Sequence, residues 1–284
     1  MHIFDKIMSL KSFLSEKRSQ GLRIGLVPTM GALHNGHLSL VRHCKQHCDL
    51  TVVSIFVNPT QFNNSADYEK YPITQEKDIE LLRSDQVDVV FTPNKKTLYP
   101  TESTISFSFD PLDRVLEGAF RPGHFSGVAL VVSKLFNIVN PDVAYFGQKD
   151  LQQVAVIKKL NQELNFDIDI QTVPTVRETD GLALSSRNSR LTAKQRDLAP
   201  VLSKMMLETK SRLLYGEDIE TTMADARLML EKYRPDIELE YLEIVDSNEL
   251  TAVKSLSDHQ QVSLCIAAYL GEVRLIDNLF VISR

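Results

Sequence analysis

Short apolar runs recur through the first 173 residues, each closed by Pro, Gly or Asn and most followed by a stretch of helical period. The runs span residues 23–27, 51–57, 87–93, 142–147 and 167–173. Between them, residues 38–48 carry Leu38, Val41, Cys44 and Cys48 at helical spacing, and Ile79, Leu81 and Leu82 sit in a charged helical stretch. Residues 126–139 form a mostly apolar helix, stopped at Asn140-Pro141, and residues 150–164 predict another. Strands this short and this apolar are buried on both faces, which calls for a parallel sheet covered by helices on either side. In such sheets ligands bind outside the carboxyl ends of the strands. The loops after Val27, Val57 and Gly147 are therefore expected along one rim.

After Val176 the pattern changes. A polar loop, RETDGLALSSRNSR, leads into helical periods at 193–215 and 219–233, then into strand candidates at 238–245, 261–269 and 274–281. Helices followed by strands predict a smaller α+β domain. The expected division is a Rossmann-like parallel-sheet N-terminal domain over 1–176 and the α+β domain over 177–284, an α/β protein overall. With 43% apolar and 24% charged residues, the chain is too apolar for a disordered one. A formal net charge of −5 argues against a nucleic-acid partner, which calls for a basic surface. Three cysteines, Cys44, Cys48 and Cys265, do not make a disulfide framework. The best apolar stretch, 123–133, is cut by Lys134 and too short to span a membrane, so no membrane partner is expected. Asp5 and Lys6 fall where a signal peptide needs an apolar run, so a cytoplasmic protein is expected.

The sharpest local signal is His34-Asn35-Gly36-His37, between a strand and a helix. Backbone N–H groups at a helix start attract phosphate, and Gly36 lets the chain approach a ligand without a Cβ. Two imidazoles can donate to phosphate oxygens as charge builds on them. The plainer alternative is a helix start with surface histidines. A rival grouping of His34, His37, His43, Cys44, His47 and Cys48 has donors enough for zinc. Cys44 and Cys48 fall, however, on the apolar stripe with Leu38 and Val41, where free cysteine packs as a small hydrophobe.

Gly147-Gln148-Lys149-Asp150 follows a strand and opens a helix, and Lys149 is a compact cation suited to phosphate. Asp150 and Gln153 also fit a capping box without any ligand. Leu184-Ser185-Ser186-Arg187 offers two hydroxyls and a guanidinium for a polyphosphate, or is an ordinary linker with a cap. Asn58-Pro59-Thr60-Gln61-Phe62 ends a strand on the same rim, and the Gln61 amide can both donate and accept. Arg121-Pro122-Gly123-His124-Phe125 reads as an anion clamp or a plain turn. Gly-x-Ser-x-Gly, a Walker-type P-loop and Gly-x-Gly-x-x-Gly are all missing, which removes support for serine hydrolase, P-loop and standard dinucleotide readings.

Taken in order, PTMGALHNGH, FVNPTQF, RPGHFSGV, FGQKDLQQ and LSSRN resemble the pantothenate synthetase (pantoate–β-alanine ligase) family, within the His-x-Gly-His nucleotidyltransferases. The resemblance implies an ATP-dependent ligase that makes a pantoyl adenylate from (R)-pantoate and then joins it to β-alanine, releasing AMP and pyrophosphate. It implies Mg²⁺ with ATP, a homodimer, and a C-terminal domain acting as a lid. By position it assigns ATP binding to Met30, Gly31, Ala32, Leu33, His34, Asn35, Gly36 and His37, with His37 as proton donor. It extends ATP binding to Gly147, Gln148, Lys149, Asp150, Val176, Leu184, Ser185, Ser186 and Arg187. Gln61, Gln153 and Met30 would meet pantoate, with Gln61 also near β-alanine, and Lys149 and Arg187 would join the two histidines in catalysis.

Two positions depart from the family pattern. Gln148 stands where Glu is frequent, and Lys77 occupies one place of an acidic pair, in the run Glu76-Lys77-Asp78. The metal is therefore expected mostly on ATP oxygens and water. Two other functions fit the fold: an adenylyl-transferring enzyme with a phosphorylated acceptor, and a nucleotide sensor without chemistry.

Overall fold

The structure is a computed structural model and describes residues 1–63 and 65–283. In chain order the elements are β1 (His2–Phe4), α1 (Ile7–Ser19), β2 (Ile24–Thr29), α2 (Asn35–His47), β3 (Leu50–Ile55), α3 (Ser65–Glu69), α4 (Gln75–Ser84), β4 (Val89–Phe91), α5 (Lys95–Leu98), α6 (Glu117–Phe120), α7 (His124–Val139), β5 (Val143–Gly147), α8 (Leu151–Glu163) and β6 (Asp169–Val173). Then follow α9 (Ala193–Leu198), α10 (Pro200–Leu214), α11 (Ile219–Glu231), β7 (Glu238–Asp246), β8 (Gln261–Leu270) and β9 (Val273–Ser283). The chain divides into two compact units, Met1–Gly147 with Val156–Pro174, and Gln148–Ala155 with Thr175–Arg284.

The first unit holds a six-stranded sheet in the order β1-β4-β3-β2-β5-β6, with every pairing parallel. The chain steps outward from β2 to β3 and β4, then returns to the other side of β2 as β5 and β6. The strand order thus reverses between β2 and β5, and crevices for ligands open at such reversals, beyond the strand carboxyl ends. β3 is buried at all six positions, as a central parallel strand must be. One face of the sheet packs on α2 through Leu38, Val41 and Cys44. Gly25 of β2 makes that contact possible, because a Cβ there would lie 2.2 Å from Cys44 Sγ and 2.8 Å from Cys48 Sγ. α7 is buried almost all round, which explains its nearly unbroken apolar sequence.

The second unit contains a three-stranded antiparallel sheet, β7-β8-β9, packed on α10 and α11 through Met205, Met206, Leu230, Leu264 and Ile266. The helical period at 193–215 predicts one helix, but the structure has two, because Pro200 begins α10 at a position where its missing N–H and rigid ring are tolerated. The N-terminal pair β1 and α1 was not predicted from the sequence. β1 is a three-residue edge strand, and α1 fully buries only Leu10 and Leu14. Among the described residues no helix is long and apolar enough to cross a membrane.

Candidate active site

In the first unit the site begins where β2 stops. Thr29 Oγ1 donates to the Ser54 carbonyl at 2.7 Å and accepts from Gly31 N at 3.2 Å, which turns the chain off the sheet. Gly31 and Ala32 then take left-handed backbone conformations, with φ of 80° and 49°. Glycine suits the first, since a Cβ at Gly31 would stand 3.0 Å from Asp78 Oδ2. Ala32 has no such freedom and is held by a partner from α4. Asp78 accepts from Ala32 N through Oδ2 and from Leu33 N through Oδ1, both at 2.9 Å, while Thr74 Oγ1 donates to Oδ1 at 3.1 Å. The acid of the 76–78 run is thus buried and committed to the loop before His34. Leu33 anchors the loop in the core.

His34 is the N-cap of α2, and Asn35, Gly36 and His37 form its first turn. Both imidazoles serve the cap. His34 Nδ1 accepts from Gly36 N at 3.1 Å, and His37 Nδ1 accepts from His34 N at 3.3 Å. The rings lie 4.1 Å apart, centroid to centroid. An imidazole that accepts through Nδ1 carries its proton on Nε2. Each ring is therefore fixed as an Nε2–H donor above a helix N-terminus, where backbone dipoles already favour an anion.

The segment after β3 supplies a donor amide. Asn58 is buried, and its orientation is set by backbone groups: Nδ2 donates to the Gly127 carbonyl at 3.1 Å, and Oδ1 accepts from Thr60 N at 3.4 Å. Tyr99 OH also donates to Asn58 Oδ1, at 2.9 Å. Burial pushes the Tyr99 pKa up, so this donor stays protonated. Asn58 Nδ2 then donates to Gln61 Oε1 at 3.1 Å, which leaves Gln61 Nε2 directed to Met30 Sδ at 3.2 Å. Met30 and Gln61 are thus brought together. His124 Nδ1 donates to the Gln61 carbonyl at 2.8 Å, and Arg121 donates to His124 Nε2 at 3.2 Å. Arg121 also lies 3.7 Å from Glu117. In this structure His124 props the Gln61 turn, and the RPGHF turn packs as well as capping α7.

In the second unit, Gln148, Lys149 and Asp150 form a tight 3-10 turn directly after Gly147, which ends β5. Lys149 Nζ lies 3.7 Å from Asp150 Oδ1, and Gln153 is half-buried on α8. The Val176 carbonyl accepts from Leu184 N at 3.0 Å. Ser185 Oγ accepts from Arg187 N at 3.3 Å and so caps a short turn carrying Ser186 and Arg187, all partly exposed. Polar partners that sequence reading missed here are Arg177, Asp277 and Asn278. Their one signal in the sequence is two adjacent polar residues inside the apolar strand 274–281, both of them buried in the structure.

The zinc grouping does not form. His43 and His47 each turn Nδ1 to the carbonyl four residues back, at 2.9 and 2.8 Å. Cys44 is buried in the core, and burial pushes its thiol up to about 12. Among the described residues no group of three or more His, Cys, Asp or Glu side chains is arranged to hold a metal.

In the first unit, a helix start carrying two imidazole donors beside the strand-order reversal of a parallel sheet marks an α/β enzyme that works on a phosphorylated nucleotide. Comparison with known proteins narrows that class. The family model described as pantoate-beta-alanine ligase matches residues 2–280, and the chain belongs to this family. It is 46% identical over 279 residues to the pantothenate synthetase of Cytophaga hutchinsonii, covering 97% of this chain and 98% of the relative. The pantothenate synthetase of Bacteroides thetaiotaomicron is 47% identical over 282 residues, with 98% of each chain covered. Among solved structures, the pantothenate synthetase of Thermus thermophilus superposes with a TM-score of 0.93 at 38% identity, covering 99% of this chain and all of that one. The pantoate-beta-alanine ligase of Francisella tularensis, solved with beta-gamma ATP and beta-alanine, gives 0.79 at 38% identity, with 99% and 98% covered.

Proposed function

We propose that this ligase condenses (R)-pantoate with β-alanine through a pantoyl adenylate, and that the residues described above divide the work. A pantoate carboxylate oxygen attacks the α-phosphorus of ATP, and the bond to the β-phosphate oxygen breaks. Pyrophosphate leaves, carrying the electron pair. The free amine of β-alanine then attacks the acyl carbon, and the bond from that carbon to the phosphate oxygen breaks. AMP departs with the electron pair, and the nitrogen releases a proton to water. The first step spreads negative charge over non-bridging and leaving oxygens, so fixed donors that tighten on that charge lower the barrier. His34 and His37 supply Nε2–H donors at the α2 N-terminus, with His37 directing its hydrogen bond to the departing phosphate. Lys149 and Arg187 supply charge, and Ser185 and Ser186 add hydroxyl donors. Gln61 offers its Nε2–H to pantoate oxygens, Gln153 holds pantoate with it, and Met30 lines the same pocket. Gly147, Gln148, Asp150, Val176 and Leu184 meet the nucleoside and phosphates, and the 31–36 loop binds ATP as well. No side-chain nucleophile takes part.

The observation that carries this reading is the imidazole cap, which fixes two donors where a polyphosphate is attracted. Mg²⁺ enters with ATP in this proposal. Among the described residues no group of three or more His, Cys, Asp or Glu side chains is arranged to hold it, and Asp78 is committed to backbone N–H groups. The metal would ride on ATP oxygens and neutralise charge there. Residues 1–176 act as the ATP- and pantoate-binding domain and residues 177–284 as the lid that keeps water from the adenylate. The working species is a cytoplasmic homodimer without a nucleic-acid partner.

The test is AMP and pyrophosphate formation with ATP, Mg²⁺, pantoate and β-alanine, omitting each in turn. Pyrophosphate is expected to need pantoate but not β-alanine in a single turnover, and AMP release to need both. Pyrophosphate release with a phosphorylated acceptor in place of pantoate, or none with any acid, would overturn the reading.

A further inference from the structure

One buried polar pair has no task in that chemistry. Asp277 and Asn278 are neighbours on β9 and only 7% and 3% exposed, although alternation along a strand sends adjacent side chains to opposite faces. Asn278 Nδ2 donates to the carbonyls of Gln148 at 2.9 Å and Lys149 at 2.8 Å. Carbonyls only accept, so these two bonds fix which way the amide points. Its Oδ1 faces Gln148 Nε2 at 3.4 Å. Asp277 accepts both arms of the Arg177 guanidinium, at 2.6 and 2.9 Å. The same guanidinium donates to the carbonyls of Gly181 and Asn278, both at 3.1 Å. Arg177 also bridges Ala183 through the backbone, and Asn188 Nδ2 donates to the Ala183 carbonyl at 3.0 Å. The base of the segment that ends in Ser185–Arg187 is thereby tied to Asp277. All of these residues lie in one compact unit.

We propose that Asp277-Asn278 is a positioning pair for the adenylation step. Asn278 holds the Lys149 turn by its carbonyls, and Asp277 holds the Ser185–Arg187 segment through Arg177, so the pair sets the spacing between two cationic arms. The inference rests on the reading that Lys149 and Arg187 meet ATP phosphates, and it gives β9 a part in the chemistry. A bidentate carboxylate–guanidinium pair fixes direction as well as distance, which suits a strut better than an isolated ion pair does.

The experiment compares Asn278→Asp, Asn278→Ala, Lys149→Ala and the double variant in the full-length protein. Asn278→Asp keeps the size of the side chain but sets carboxylate oxygen against two carbonyls. Three readouts are taken: pyrophosphate release with ATP, Mg²⁺ and pantoate, aminolysis of pantoyl adenylate supplied directly, and thermal unfolding. Misplacing a reacting group by an ångström costs about 100-fold, so adenylation is expected to fall by about 10- to 100-fold in either Asn278 variant. Aminolysis of supplied adenylate and the β-alanine KM are expected to stay within about twofold. On a Lys149→Ala background, Asn278→Ala is expected to remove less than about threefold more, because both act through one group. Wild-type adenylation by Asn278→Ala, an equal loss in both half-reactions, or fully multiplying effects in the double variant would overturn the proposal. Should Asn278→Ala not fold, Asn278→Ser keeps a donor in the strand and serves the same comparison. Normal adenylation by Lys149→Ala would instead overturn the phosphate reading itself, a separate outcome.

Discussion

An imidazole can cap a helix or carry a positive charge on both nitrogens, but not both at once through the same Nδ1. At the start of α2 the cap bonds commit His34 and His37 to the neutral Nε2–H form, so each meets phosphate as a hydrogen-bond donor. Removing such a donor costs about 3–4 kcal/mol of transition-state stabilisation, so His37→Ala is expected to lose about 10²- to 10³-fold in kcat for pyrophosphate release. Asp78 acts one step further back. Asp78→Asn sets an amide N–H against the backbone N–H groups of Ala32 or Leu33, and leaving such a buried group unmatched costs about 1–3 kcal/mol. A lower urea midpoint together with a raised KM for ATP is the expected result. The paired histidines were legible in the sequence because a single short motif contains them. Asp78 was not, because its partners lie 45 and 46 positions away and its own surroundings read as an ordinary charged helix. Cys44 offers a contrast without chemistry. Its thiol is held up to about 12 by burial, against 9.0 ordinarily, so the folded chain resists an ionisation that the unfolded chain accepts. The stabilisation is complete below about pH 9 and is lost as pH rises toward 12, by about 1.4 kcal/mol per unit. Urea midpoints between pH 8 and 10.5 are expected to fall more steeply for the wild type than for Cys44→Ala, with turnover of that variant almost unchanged at pH 7.5.

Between neighbouring elements, two glycines set distances that no other residue permits. Gly25 admits the α2 thiols to the sheet, and Gly127 admits α7 to the turn that carries Gln61. A Cβ at Gly127 would lie 2.2 Å from the Thr60 carbonyl oxygen and 2.6 Å from Gln61 N, both of them backbone atoms. Overpacking of this kind costs about 1–3 kcal/mol. Gly127→Ala is therefore expected to lower the urea midpoint and also to raise the pantoate KM, because the strained turn holds the donor amide. An intact pantoate KM in a destabilised Gly127→Ala would show that the turn tolerates the shift. The same physics decides which elements could be read in advance. The central strands β2, β3 and β5 are apolar and bounded by turn residues, so they are visible, although β2 runs on through Pro28 to Thr29 rather than stopping at Val27 and β3 ends at Ile55 rather than Val57. β1 has only three residues to show, and α1 presents little more than Leu10 and Leu14 to the core. The break before α10 has a visible cause, Pro200, but a Pro at the first position of a helix looks the same in sequence as one inside it.

For the chain taken entire, ordered motifs carried the class of chemistry because most of them close a strand or open a helix, and the parallel sheet of the first unit brings the turns after β2 and β3 to one rim. What sequence order does not show is which groups hold those points still: Asp78 for one loop, Asn58 and His124 for another, Asp277 and Asn278 for a third. Damage to such a group is easily mistaken for misfolding, and ligand linkage separates the two. A ligand that binds only the folded chain stabilises it by about 2.7 kcal/mol at a hundred times its Kd, or a few degrees in Tm for a protein of this size. ATP with Mg²⁺ and pantoate is expected to raise the wild-type Tm by about 5 °C at that saturation. Lys149→Ala is expected to keep the ligand-free Tm, since its side chain makes one loose pair with Asp150 at 3.7 Å, yet to lose most of the ATP-dependent rise. Gly25→Ala should do the reverse, starting several degrees lower and keeping the full rise, because the thiol contact it disturbs lies on the covered face of the sheet. A full ATP-dependent rise in Lys149→Ala would place the polyphosphate elsewhere and remove that lysine from the adenylation step.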